Sequence, residues 1–147
     1  LSRALRGDLG IAYLSAGKTE VLADLARRFP ATIELTLAAL LIAIPVGVSA
    51  GMIAARYRGG GPDRLAIALS SLGVSVPVFF LGIVLLLIFR DMPGSGRIDV
   101  RTSMRGVEWT GLYVVDSVAA RRWDILSDVL AHLILPAMTL ASVPTAL

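Results

Sequence analysis

Three long apolar segments, each interrupted by proline, constrain what this chain can fold into. They cover residues 33–55, 65–89 and 129–147, and their only titratable side chains are Glu34 and His132. About 20 helical residues cross a bilayer core about 30 Å thick, because each residue advances a helix by about 1.5 Å. Inside lipid every backbone N–H and C=O group needs a partner within the protein, and a helix provides these partners. The sequence therefore predicts an all-α fold, a polytopic transmembrane helical bundle with about three spans.

The composition supports this interpretation. Hydrophobic residues make up 56% of the chain and charged residues 17%, whereas a soluble domain usually has about 25% charged residues. A soluble all-α protein of this size could not bury two such apolar helices on all sides, and the alternating segments of a β-barrel do not occur. The net charge is +3, but the basic residues are dispersed, so nucleic acid is not an expected partner.

The apolar segments divide the chain into spans and connections. Val21, Leu22, Leu25 and Ala26 recur at helical spacing among charged residues, as in an amphipathic helix at a membrane interface or in water. Pro30 fits the first turn of a helix, so the first span is expected to begin there. The expected order is an amphipathic segment 1–29, a span 30–55, a connection 56–64, a span 65–89, a connection 90–128 and a truncated span 129–147. Because the sequence does not start with Met and ends within an apolar segment, we expect an internal piece of a longer protein.

Small residues recur at every fourth position of the first span. This spacing places them on one stripe of the helix, where a second helix can approach closely in lipid. A proline near the middle of each of the first two spans removes a helical hydrogen bond and is expected to bend the helix. The residues predicted for packing and bending are Ala43, Gly47, Gly51, Ala55, Pro45 and Pro77.

One face of the second span combines two serines with a phenylalanine. Ser71, Ser75 and Phe79 follow one another at intervals of one helical turn. Polar residues inside a membrane helix usually face other protein or a water-filled cavity, although a serine hydroxyl also bonds to its own helix carbonyls. These three residues are therefore candidates for lining a substrate path, with structural packing as the alternative.

Patterns for catalysis and metal binding are missing from the sequence. It has one histidine, no cysteine, no Gly-x-Ser-x-Gly motif and no paired carboxylates within the spans. Glu34 fits a first-turn acid at the water boundary and His132 a helix-end side chain, with a transport route and a ligand role as the respective alternatives. We therefore predict no enzyme activity, no metal and no cofactor. No Asp, Lys or Arg lies at mid-depth in a span, which disfavours an ion-coupled carrier. A transporter without coupling charges of its own would then take its energy from elsewhere.

Charge alone leaves the orientation in the membrane open. The positive-inside rule counts Lys and Arg near the ends of spans. The total count would place the connection 56–64 outside, whereas the density of basic residues would place it inside.

Seven short motifs occur in order along the chain. They are Gly7–Gly10 (GDLG), Arg28–Leu35 (RFPATIEL), Arg58-Gly59 with Asp63-Arg64, Ser75–Phe80 (SVPVFF), Met92–Arg97 (MPGSGR), Thr110–Ser117 (TGLYVVDS) and His132–Ala137 (HLILPA). Together they resemble the inner-membrane permease subunit of dipeptide, oligopeptide and nickel ABC importers. Each motif is weak alone, but the series covers nearly the whole chain. One departure is Lys18-Thr19, where the family often has Pro-Val.

The resemblance implies a type I importer permease with about six helices per subunit. Such a subunit is a multi-pass protein of the cell inner membrane and forms half of a translocation pore for peptides or related small solutes, nickel among the candidates. Its implied partners are a second homologous permease subunit, cytoplasmic ATPase subunits and an external solute-binding protein, besides the lipid bilayer. The resemblance places the connection 56–64 in the cytoplasm, the connection 90–128 outside, and the ATPase-contacting helix after residue 147.

Two other functions fit the same apolar segments. An ion-coupled secondary transporter would use broken helices and inverted repeats. A non-transporting membrane assembly subunit would need only the spans. An ATP-driven importer is the leading hypothesis.

Overall fold

The computed structural model describes residues 11–14 and 17–146. Within that part of the chain a small antiparallel hairpin precedes five helices. The strands are β1 (Ile11–Leu14) and β2 (Gly17–Glu20), and the helices are α1 (Val21–Arg56), α2 (Gly61–Ser75), α3 (Val78–Ile88), α4 (Tyr113–Ala119) and α5 (Trp123–Ala146). The predicted helical membrane fold is confirmed. The hairpin is an addition that no apolar segment indicated.

The first helix is longer than a single membrane crossing requires. Helix α1 has 36 residues, which corresponds to about 54 Å of helix against a bilayer core of about 30 Å. It begins at Val21, well before Pro30, and continues through Pro30 and Pro45. Its first turns carry an ion pair one turn apart, with Arg28 Nε 3.0 Å from Asp24 Oδ2. Residues 21–29 of the expected amphipathic segment and the expected first span therefore form one continuous helix. Residues 11–14 and 17–20 of that segment form the hairpin instead, and residues 1–10, with the GDLG motif, lie outside the described residues.

The second apolar segment is divided into two helices. Helices α2 and α3 meet at a bend of 103°. Pro77 has no N–H and disfavours helical geometry in the residue before it, and Val76 is accordingly extended, with φ −82° and ψ 122°. Helices α1 and α5 are each long and apolar enough to cross a membrane, and the bent pair gives a third crossing if it is one span.

Helix α2 also begins earlier than the apolar segment. Its N-cap is Gly60, and Pro62 occupies the first turn. Asp63 lies inside that turn, and its Oδ2 accepts a 2.7 Å hydrogen bond from the Gly59 N–H. Gly59 has a φ of 76°, a conformation that glycine adopts without steric cost.

Helix α5 packs against each of the other four helices. Its contact with α1 is built from small side chains, because Ala39 and Ala43 of α1 and Ala141 of α5 form one buried cluster. Lipid provides no hydrophobic drive for two helices to associate, so close van der Waals contact between small residues holds such pairs together.

The long connection after α3 is folded rather than open. Residues 90–122, here called the loop subdomain, pack on the first turns of α5. Met104 and Val107 of this subdomain form a buried cluster with Ile125 and Val129 of α5. The loop subdomain is thus attached to the membrane helices through a hydrophobic core of its own.

Large apolar side chains elsewhere face outwards. Leu41 and Phe79 are 76% and 73% exposed, and α3 has no buried residue. Apolar surface of this extent marks a membrane or protein contact rather than a surface in water. The helices therefore require lipid or further protein around them.

Candidate functional site

The three residues predicted to line a path lie on both sides of the bend. The Ser71 hydroxyl donates a 2.8 Å hydrogen bond to the Ile67 carbonyl, and the Ser75 hydroxyl donates a 2.7 Å bond to the Ser71 carbonyl. Both hydroxyls are therefore paired within α2. Phe79 lies on α3, beyond the bend, so the structure does not place it on the helical face of the two serines. Their role in a path stays a prediction.

An open groove of about 610 Å³ separates the membrane helices α1, α2 and α5. Small and hydroxyl-bearing residues line it, among them Gly47, Gly51, Ser71, Ser142 and Thr145. The last two hydroxyls also donate to carbonyls of their own helix. Each hydroxyl oxygen keeps acceptor capacity toward the groove. We call this space the three-helix groove.

The predicted packing residues differ in what surrounds them. Ala43 is buried, and a Cβ atom on Gly47 would lie 3.5 Å from the Thr145 carbonyl oxygen of α5. Further along the stripe, Gly51 has open space around its Cα, and Ala55 is exposed. The small-residue stripe therefore contacts α5 over its first half and is free over its second half. Of the two predicted bending residues, Pro45 is exposed within α1, and Pro77 lies at the α2–α3 bend.

A buried ion pair joins α1 to the loop subdomain. Arg97 Nη2 lies 2.9 Å from Glu34 Oε2, and the Glu34 side chain is only 8% exposed. Glu34 Oε1 also accepts a 2.6 Å hydrogen bond from the Val114 N–H. Glu34 is thus the anchor of the loop subdomain, rather than an isolated acid at a water boundary.

Arg97 makes two further contacts that orient it. Its Nη2 donates a 2.8 Å hydrogen bond to the Gly111 carbonyl, and its guanidinium carbon lies 3.5 Å from the centre of the Tyr113 ring. A planar guanidinium can bond a carboxylate and stack on an aromatic face together. One arginine therefore links α1, the Gly111 turn and α4.

Asp116 organises the turn before α4. Its carboxylate is fully buried and accepts hydrogen bonds from three backbone N–H groups and a hydroxyl: those of Trp109, Thr110 and Gly111, and the Thr110 side chain. Burial raises the pKa of Asp116, but the Thr110 hydroxyl and the backbone donors outweigh burial, and the pKa is lowered overall. Asp116 therefore stays ionised and fixes the backbone of residues 109–111.

His132 lies on α5, beside a small cavity. It is 8% exposed, and its Nδ1 is 2.9 Å from the Asp128 carbonyl oxygen. The cavity measures about 110 Å³ and is lined by His132, Glu34, Arg97 and mainly apolar residues. Within the described ranges, no three His, Cys, Asp or Glu side chains are grouped as they would be around a metal ion.

Sequence reasoning missed Arg97 and Asp116 as organising residues. Both stand in motifs that carried the family resemblance, MPGSGR and TGLYVVDS. The motifs therefore contained a signal, but only the folded chain shows that it concerns the attachment of the loop subdomain.

Comparison with known proteins identifies relatives. The probable D,D-dipeptide transport system permease protein DdpB of Escherichia coli K12 is 34% identical, over 97% of this chain and 42% of its own length. The di/tripeptide transport system permease protein DppB of Pseudomonas aeruginosa is 38% identical, over 80% of this chain and 36% of its own length. The putrescine export system permease protein SapB of E. coli K12 is 36% identical, over 80% of this chain and 38% of its own length. The chain thus spans less than half the length of these relatives, and no solved structure matches it.

Residues 47–147 match the family described as the inner membrane component of binding-protein-dependent transport systems. This match covers α2 to α5 and the loop subdomain. It confirms the family resemblance seen in the motifs. The chain belongs to the binding-protein-dependent transport system inner membrane component family.

Proposed function

We propose that this chain is part of a permease subunit that forms half of the translocation pore of an ATP-driven importer for peptides or related small solutes. The observation that carries the proposal is the family match over residues 47–147. The names of the relatives DdpB and DppB, which refer to dipeptides and tripeptides, support the solute class.

The arrangement of the helices supports a transport role. The three-helix groove has about 610 Å³ of open space beside the bend between α2 and α3. The Ser71, Ser142 and Thr145 hydroxyls that line it already have partners in their own helices, so a polar solute could pass without leaving these donors unpaired. Loose contact beyond Gly47 would let α1 and α5 move relative to each other.

The distribution of charge supports an external source of energy. Glu34 and His132 are the titratable side chains of the three apolar segments. Glu34 is held by Arg97 and the Val114 N–H, and His132 Nδ1 lies 2.9 Å from the Asp128 carbonyl oxygen of its own helix. A carrier driven by an ion gradient needs a titratable or ion-binding group along its route. We therefore assign energy coupling to separate ATPase subunits and solute delivery to an external binding protein, with a second permease subunit completing the pore.

Reconstitution of the full-length protein with these partners in liposomes tests the proposal. We expect uptake of labelled alanyl-alanine that needs hydrolysable ATP. Ser75→Trp, at the edge of the bend, should reduce the rate, whereas Ser95→Trp in the exposed connection should not. Uptake that persists without ATP but stops when the ion gradient is removed would instead indicate a secondary transporter. Normal cellular uptake after deletion of the gene would indicate an assembly subunit.

A further inference from the structure

A second groove lies between α1 and the loop subdomain, away from the three-helix groove. It has a volume of about 490 Å³ and is open to the surroundings, within the range of about 300–1,000 Å³ typical of small-molecule clefts. Arg27 and Pro30 form the α1 wall, and Glu108, Trp109 and Tyr113 belong to the opposite wall. We call it the loop groove.

The loop groove has walls that are fixed before any ligand binds. Asp116 holds the backbone N–H groups of Trp109, Thr110 and Gly111. The Tyr113 hydroxyl donates a 3.0 Å hydrogen bond to Glu108 Oε1, which restrains that carboxylate. A site whose side chains are already restrained loses less entropy on binding.

Contact between the two walls also fixes the width of the groove. A Cβ atom on Gly111 would lie 3.1 Å from Pro30 Cγ, so only glycine lets the turn approach α1 this closely without displacing the proline. The Glu34–Arg97 ion pair, whose glutamate is 8% exposed, also holds the same two walls together.

The two walls carry opposite charges. Arg27 contributes a guanidinium from α1, and Glu108 contributes a carboxylate from the loop subdomain. Arg97 also reaches the groove, but its charge is matched by Glu34. Trp109, 65% exposed, offers an aromatic surface beside Glu108, and such a surface attracts ammonium groups.

We propose that the loop groove binds a small zwitterion, with its carboxylate at Arg27 and its ammonium group at Glu108 and Trp109. A simple cation would be repelled by Arg27, and a simple anion by Glu108. A free dipeptide carries both charges, so this inference rests on the proposed function and adds a subsite to it at the loop subdomain.

Equilibrium dialysis with the full-length permease in lipid nanodiscs tests this inference without ATPase subunits. The probes are alanyl-alanine, N-acetyl-alanyl-alanine, which lacks the cation, and alanyl-alanine amide, which lacks the anion. One charge-assisted hydrogen bond corresponds to about tenfold or more in affinity. We therefore expect alanyl-alanine to bind at least about tenfold more tightly than either of the other probes.

Single substitutions assign the two charges. Arg27→Gln should weaken binding of alanyl-alanine about tenfold but should not weaken binding of the amide, a cation that Arg27 repels. Glu108→Gln, which still accepts from Tyr113, should weaken alanyl-alanine similarly but should not weaken binding of the N-acetyl probe, an anion that Glu108 repels. Arg28→Gln is the matched control, because Arg28 neighbours Arg27 but pairs with Asp24 instead.

The outcomes separate this inference from the proposed function. Equal affinity for the three probes, no binding of alanyl-alanine, or equal effects of the Arg27 and Arg28 substitutions would each overturn the zwitterion site. If ATP-driven uptake of alanyl-alanine is then still observed, the proposed function stands without it. If binding shows the expected charge dependence but uptake is absent, the site stands and the proposed function fails.

Discussion

Removal of either partner of the Glu34–Arg97 pair should weaken the attachment of the loop subdomain to α1. Arg97→Met leaves the Glu34 carboxylate, 8% exposed, with the Val114 N–H as its remaining bonded partner among those described. Breaking a buried pair in this way costs about 3–5 kcal/mol. Arg97 is itself 28% exposed, so water can enter and reduce the cost to about 2–3 kcal/mol.

Glu34→Gln should lower the free energy of unfolding less than Arg97→Met does. The amide oxygen can still accept from Val114, and Arg97 keeps its contacts with Gly111 and Tyr113. Loss of the charge-assisted bond alone corresponds to about 1–2 kcal/mol. The double variant should lose less stability than the sum of the single variants, because both remove the same interaction.

Equilibrium unfolding of the full-length protein in mixed micelles, followed by Trp fluorescence, measures these changes. Asp24 and Arg28 provide the control, because their ion pair has the same chemistry on the same helix but leaves Arg28 71% exposed. Arg28→Met should change the free energy of unfolding by less than about 1 kcal/mol. If Arg97→Met is no more destabilising than Arg28→Met, the anchoring role of the pair is wrong.

Three further predictions follow from local geometry. Gly73→Leu should separate α2 from α5 and lower the free energy of unfolding by about 1–3 kcal/mol, because even a Cβ atom at position 73 would lie 2.8 Å from the Ala146 Cβ. Gly51 has open space around it, so Gly51→Leu should lower the free energy of unfolding much less in the same assay. Asp116 has a lowered pKa in the folded state. Its contribution to stability is therefore complete above the unfolded pKa of about 3.9 and is lost as the pH falls through the folded value. Asp116→Ala should remove this contribution to the pH dependence of the free energy of unfolding, measured between pH 3 and 7. Pro77→Ala restores an N–H and frees Val76 to become helical, so the bend of 103° should open. The distance between spin labels near the far ends of α2 and α3 should then increase. An unchanged distance would show that proline does not cause the bend.

The sequence predicted the membrane helices because their physics is local. A long apolar run must be helical in lipid, whatever its neighbours are. The position of the break also followed from local chemistry, since Pro77 restricts Val76 in any context. The start of α1 was less predictable, because Pro30 lies inside the helix, although proline is most common in a first turn.

The contacts of the loop subdomain depend on residues far apart in the sequence. Glu34 and Arg97 are 63 positions apart, and neither periodicity nor composition connects them. A sequence pattern shows an acid near the start of an apolar run, and solvent at the membrane boundary was the simplest partner for it. In the folded protein the partner of Glu34 is Arg97 instead, and this ion pair joins the two walls of the loop groove.

Membrane topology tests the central claim most directly, because a permease half requires α2 and α3 to cross the bilayer together. The 147 residues contain no cysteine, so single cysteines can be introduced at Arg58 and Ser95 in the full-length protein after replacement of any others. A membrane-impermeant maleimide, applied to intact cells and then to inverted vesicles, should label Ser95→Cys from outside and Arg58→Cys from the cytoplasmic side. Labelling of both positions from one side would show a re-entrant pair that does not cross the membrane, and would contradict this account.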